Sequence, residues 1–144
     1  PPQDWRAVVL EDASVQGKGA TKWAAVAVDA FRRHGADRMV AEVNMGGDLV
    51  AAVIRQHDPF LPLKMVRATK GKSVRAEPIA ALYEQGRVAH LGGLGRLEAQ
   101  MGQMTRGGFV GAGSPDRVDA LVWALTDLML DRAAVWRRPQ VRSL

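Results

Sequence analysis

The chain has 144 residues, of which 47% are hydrophobic and 24% charged; that is enough to bury a core in one ordinary domain and is not the composition of a disordered chain. It has no cysteine, so disulfide frameworks and thiolate metal centres are excluded, and no apolar run reaches the roughly 20 residues needed to span a bilayer. A net charge of +5 favours a polyanionic partner such as nucleic acid.

AVVLED (7–12) is a valine-rich run that reads as a strand, followed by Ser14 and a glycine-containing turn. Thr21 to His34 places Trp23, Val26, Ala27, Ala30 and Phe31 at helical spacing, and Gly35 supplies the stop. DRMVAEVN (37–44) reads as a second, largely buried strand. Gly46-Gly47 opens a helix over Asp48 to Gln56, which Asp58-Pro59 ends. LPLKMVRA (61–68) is the third strand. Ser73 to Gln85 is helical, and Pro78, best tolerated in a first turn, moves the expected start toward Ala76. Gly86 stops that helix, RVAHL (87–91) is a short fourth strand, and Leu94 to Met104 is another amphipathic helix. TRGGFVGAGSP (105–115) reads as a glycine-rich loop, and the last helix runs from Asp116 to about Trp136, ahead of a basic tail. Strands alternating with helices predict one α/β domain around a partly parallel sheet, without internal repeats or an interdomain linker.

Asp116 and Asp119 lie at i and i+3, on one face of a helix start. One carboxylate there is a cap that offsets unpaired N–H groups and the helix dipole. Asp119 sits deeper, beside Val118, Ala120 and Leu121, and a second acid in that place suits a cation held by hard oxygen ligands, as Mg²⁺ or Mn²⁺ would be. Glu42 stands among Met39, Val40, Ala41 and Val43, where a carboxylate needs an arginine or a metal as partner. The end of a strand in an α/β sheet is where ligands collect. Asn44 and Gly46-Gly47 could cradle a phosphate, but neither GxGxxG nor GxxxxGK[ST] is present, so a tight strand-to-helix turn explains them better. Lys70, Lys72 and Arg75 bring positive charge to a helix start, against its dipole, as an external polyanion would require. His34, His57 and His90 have no ligand spacing, and the tryptophans and Tyr83 read as packing residues.

LEDAS (10–14), the Trp23 helix, ADRMVAEVNMGGDLV (36–50), KGKSVRAEPIAALYEQGRVAH (70–90) and GSPDRVDALVWAL (113–125), in that order over most of the chain, resemble the nuclease domain of large terminase subunits. These are the DNA-packaging motors of tailed phages, prophages and gene transfer agents. The resemblance implies a ribonuclease-H-like mixed sheet flanked by helices, and a Mg²⁺- or Mn²⁺-dependent endonuclease that cuts concatemeric double-stranded DNA in the host cytoplasm. It makes Glu42 the acid at a strand end, Asp116 the acid opening the last helix and Asp119 an additional acid near the second of two metals. It turns Lys70, Lys72 and Arg75 toward DNA, and adds an ATPase motor domain, a portal and a small terminase subunit as partners.

The family's first catalytic aspartate stands on an opening strand that precedes the segment resembling LEDAS. This chain starts at PPQDW, so residues 1–144 are read as a terminase nuclease domain lacking that strand and the ATPase domain. Asp12 maps to a different strand and is a poor substitute. A sheet without a central strand is expected to show an open edge that invites pairing with another chain. Two further readings are a fragment that grips DNA without cutting it, and an α/β nucleotide-binding domain using Asn44 to Gly47.

Overall fold

Valine-rich runs alternate with amphipathic stretches, and this order organises residues 4–17, 19–43 and 47–131, which a computed structural model describes. The elements are β1 (Ala7–Val9), α1 (Ala20–Arg33), β2 (Met39–Glu42), α2 (Gly47–His57), β3 (Leu63–Val66), α3 (Lys72–Glu84) and β4 (Val88–His90). They continue with α4 (Gly95–Gly102), β5 (Met104–Thr105), β6 (Gly108–Phe109) and α5 (Asp116–Leu125), which runs on into a π-helical turn over Thr126–Leu130.

The α/β class holds, with mixed pairing. β1 lies parallel to β4, with Ala7 opposite Val88 and Val9 opposite His90. β2 lies parallel to β3, with Met39 opposite Leu63 and Glu42 opposite Val66. Among the described residues these remain separate two-stranded sheets, so each has unpaired edges where one continuous sheet was expected. Alternation of residue types marks a strand but does not specify its neighbour.

Two apolar clusters form on either side of this division. One collects Ala7, Ile79, Leu82, Leu94 and Leu97 around Val118, Leu121, Val122, Leu125 and Met129 of the α5 segment. The other packs Ala24 and Val28 of α1 against Val53 and Ile54 of α2 and Leu61. Within α1 the buried stripe is therefore centred on Ala24 and Val28, while Trp23 and Phe31 pack at its margin. α5 also touches β2, and so joins the two halves.

Three boundaries differ from expectation. α3 begins at Lys72, a turn earlier than Pro78 suggested, and Pro78 lies inside the helix. Its missing N–H leaves the Val74 carbonyl without a helix partner, at a position whose side chain is 47% exposed, where water can serve. The glycine-rich loop contains a small antiparallel hairpin, β5–β6, tied by Val110 N–H to the Gln103 carbonyl (3.0 Å). Gly111 permits that close approach, because a Cβ there would lie 2.3 Å from Gln103 Oε1. Regular α-helix ends at Leu125 rather than near Trp136, and Asp131 has extended backbone. Trp136 and the basic tail lie outside the described residues, as do Asn44 and Gly46.

Asp127 is buried on the π-helical turn and accepts hydrogen bonds from Arg38 Nε and Lys64 Nζ, each at 2.6 Å. Lys64 also pairs with Asp131. Tyr83 was read as a packing residue and His90 as a histidine without ligand spacing; the Tyr83 hydroxyl lies 2.6 Å from His90 Nε2 while His90 Nδ1 meets Glu98. That chain ties α3, β4 and α4 together. Buried surroundings push the Tyr83 hydroxyl up to about 12.

Asp127→Ala leaves two cations without their shared carboxylate and should lower stability by about 1–3 kcal/mol in urea unfolding. Arg32→Ala, which removes an exposed pair with Asp58, should cost under about 1 kcal/mol. Hydrogen bonds from Arg33 and His34 hold the Glu11 carboxyl down to about 2 from 4.5. A carboxyl depressed on folding contributes its full stability above its unfolded value, and loses it as pH falls through the folded one. Glu11→Gln should therefore lower the melting temperature at neutral pH, and the difference from the unmodified chain should vanish near pH 2.

Candidate active site

α5 delivers two carboxylates to the seam between the two halves. Asp116 and Asp119 occupy its first turn, and its N-terminus has no capping side chain of its own. The Val118 N–H is satisfied instead by Gln100 Oε1 of α4 at 2.9 Å. Neither acid is engaged as a cap, which leaves both carboxylates free for other partners.

Asp119 points inward and is 8% exposed, whereas Asp116 is 79% exposed at the rim. Glu42 reaches the same place from the end of β2 and keeps 25% exposure, so the group opens to solvent through Glu42 and Asp116. The Glu42 and Asp119 carboxylates are brought together around one shared guanidinium, that of Arg75. Residues far apart in sequence thus meet.

Two cations share the cluster. Lys72 Nζ donates to Asp116 Oδ1 (3.1 Å) and to Ser114 Oγ (2.8 Å), and stands 3.6 Å from Asp119 Oδ2. Ser114 in turn donates to Asp116. Arg75 Nη2 comes 3.0 Å from Asp119 Oδ1, and Nη1 lies 3.6 Å from Glu42 Oε2. These Arg75 contacts are ion pairs by distance but lack hydrogen-bond geometry. Among the described residues, Asp119 Oδ1 and Arg75 Nε and Nη1 are therefore buried without a hydrogen-bond partner. The Arg75 guanidinium rests 4.8 Å from the centroid of the Trp123 ring, and Trp123 Nε1–H donates to Glu42 Oε2 at 2.9 Å.

The three carboxyls are held differently. Burial pushes Asp119 up and its hydrogen bond with Glu42 adds to that, with Arg75 opposing in part. Burial also acts to raise Glu42, but the Trp123 and Asp119 hydrogen bonds and the Arg75 charge outweigh it, and Glu42 is held below the usual range. Asp116 is lowered, first by the Ser114 hydroxyl and then, against some burial, by Lys72. Glu42 and Asp119 are thus shifted in opposite directions.

Of the basic trio, Lys72 and Arg75 turn toward the carboxylates, and Lys70 is exposed on the turn before α3, as is Arg67. Asp12 pairs with Arg117 at 3.0 Å. Trp123 was not singled out from sequence; its place four residues after Asp119 was the available signal, since that spacing shares a helix face.

Among the described residues no group of three or more His, Cys, Asp or Glu side chains is arranged to hold a metal ion. Asp116 stands apart from the other two acids, held by Lys72 and Ser114. The chemistry of the remaining pair suits a divalent cation all the same: two facing hard-oxygen carboxylates, one with an orphaned buried oxygen. Among the described residues no helix is long and apolar enough to cross a membrane.

The terminase RNaseH-like domain family matches residues 4–128 of this chain. No curated protein and no solved structure matches it.

Arg75 is the buried counter-charge to Asp119, so Arg75→Met should lower stability by about 3–5 kcal/mol in denaturant unfolding. Lys72→Met, at the partly exposed rim, should cost under about 1 kcal/mol.

Proposed function

The chain belongs to the terminase RNaseH-like domain family, and from that premise we propose that it is the nuclease domain of a DNA-packaging terminase, hydrolysing phosphodiester bonds of concatemeric double-stranded DNA with divalent cations. The observation that carries this reading is the meeting of Glu42 from β2 with Asp119 from α5, beside Asp116 and open to solvent. Lys72 and Arg75 offset these acids in the structure as it stands, and because one carboxylate alone holds Mg²⁺ weakly, a dication would need several of them.

Glu42 and Asp119 would hold the first Mg²⁺ or Mn²⁺, and Asp116 would join on release from Lys72. Such ions lower the pKa of bound water and offset charge on the phosphate. The chain's own groups do the rest. Lys72, once parted from Asp116, is free for a phosphate oxygen, and exposed Lys70 and Arg67 offer further phosphate contacts. Arg75, stacked on Trp123, stays as the internal counter-charge. Contacts of this kind read the backbone rather than base edges, so cutting should show little sequence preference. The working partners in this reading are double-stranded DNA, an ATPase motor domain, a portal and a small terminase subunit, in the cytoplasm of a bacterial host.

A second reading is that these residues grip DNA without cutting it, favoured by the absence of a three-acid metal group among the described residues. Plasmid nicking beside a gel shift separates the two. Nicking in Mn²⁺ or Mg²⁺ that stops with EDTA is the expected result. Glu42→Gln, Asp116→Ala and Asp119→Asn should each slow it at least about a hundredfold, since even groups that only orient metal ligands cost 10–100-fold. Salt-sensitive binding with no nicking in either metal overturns the nuclease reading in favour of the second.

A further inference from the structure

We infer that Trp123 is a positioning residue for the acidic site, fixing one oxygen of Glu42 through its indole N–H while its ring face seats Arg75. The inference rests on the reading that Glu42 and Asp119 share a divalent cation. Trp123 follows Asp119 by four residues, so α5 presents acid and indole on one face toward β2. The indole nitrogen can only donate, so its 2.9 Å bond to Glu42 Oε2 fixes the direction of that carboxylate.

The ring has a second task. Among the described residues, Arg75 Nε and Nη1 are buried without hydrogen-bond partners, and the Trp123 face 4.8 Å from the guanidinium compensates part of that loss. With Arg75 held there, its charge reaches both Glu42 and Asp119, at 3.6 and 3.0 Å. A tryptophan serving only as apolar filler would need neither the N–H aimed at a carboxylate nor the cation on its face. Groups that hydrogen-bond metal ligands set ligand direction and basicity, and losing them weakens the metal.

Trp123→Phe keeps an aromatic face and deletes the donor. Mn²⁺ binding to the DNA-free chain, followed by titration calorimetry with circular dichroism as the check on folding, should weaken about 10–100-fold in this variant. In a Glu42→Gln background the same substitution should cost nothing further, because the effect runs through that carboxylate. Unchanged Mn²⁺ affinity in Trp123→Phe, or an equal loss in the Glu42→Gln background, overturns the inference and leaves the nuclease reading standing. Mn²⁺ binding by the unmodified chain that Asp119→Asn does not weaken overturns the shared-cation reading itself, and this inference with it. Should Trp123→Phe fail to fold, the indole N–H resonance of Trp123 in the unmodified chain decides. It should move on Mg²⁺ addition and stay still in Glu42→Gln; a resonance unmoved by saturating Mg²⁺ overturns the proposal.

Discussion

A buried polar stripe along one helix holds this chain together. Asp119, Trp123 and Asp127 recur at four-residue intervals on the α5 segment and meet Glu42, Arg38 and Lys64, side chains from β2, its lead-in and β3. The two apolar clusters lie on either side, and neither one alone fixes where α5 stands relative to β2. Apolar burial tolerates sliding, because contact area is non-directional. Hydrogen-bonded charges do not, since a displaced carboxylate leaves its partner unsatisfied. Two such contacts in a row, Trp123 with Glu42 and Asp127 with Arg38 and Lys64, set the position of α5, and with it the separation of Glu42 from the two aspartates.

The same stripe explains why cations sit among the acids. Two helix N-termini face each other here, that of α3 carrying Lys72 and Arg75 and that of α5 carrying Asp116 and Asp119. Acids suit the positive end of α5, whereas cations oppose that of α3. Pairing across the gap offsets the unfavourable half. It also sets two cations against three carboxyls, so that the charges in the pocket largely offset one another. Trp123 belongs to this arrangement because it touches both signs of charge at once.

Much of the site was legible in the chain because burial of charge leaves a mark in sequence. Glu42 inside MVAEV and Asp119 inside RVDALV are anomalies that only partners can explain, and the partners proved to be each other, an arginine and an indole. Lys72 and Arg75 were legible as cations in an awkward place, but their inward direction was not. An external polyanion and an internal carboxylate look alike from the cation's side. Gln100 was invisible as the group that satisfies the start of α5, since a cap supplied from another helix has no local spacing.

Order and type of the main elements followed from the sequence alone, since valine-rich runs and apolar repeats of three to four residues act within a few turns of chain. So did the glycine that ends α1. Tertiary structure decided what depends on distant neighbours: which strands pair, the turn of α3 ahead of Pro78, the hairpin inside the glycine-rich loop, and the end of regular helix at Leu125. It also decided the role of Trp123, which shares a helix face with Asp119 by local rule but acquires Glu42 and Arg75 only when β2 and α3 close against α5. Local propensity acts through neighbouring residues of the chain, whereas a carboxylate's partner is set by packing among segments that the sequence keeps far apart.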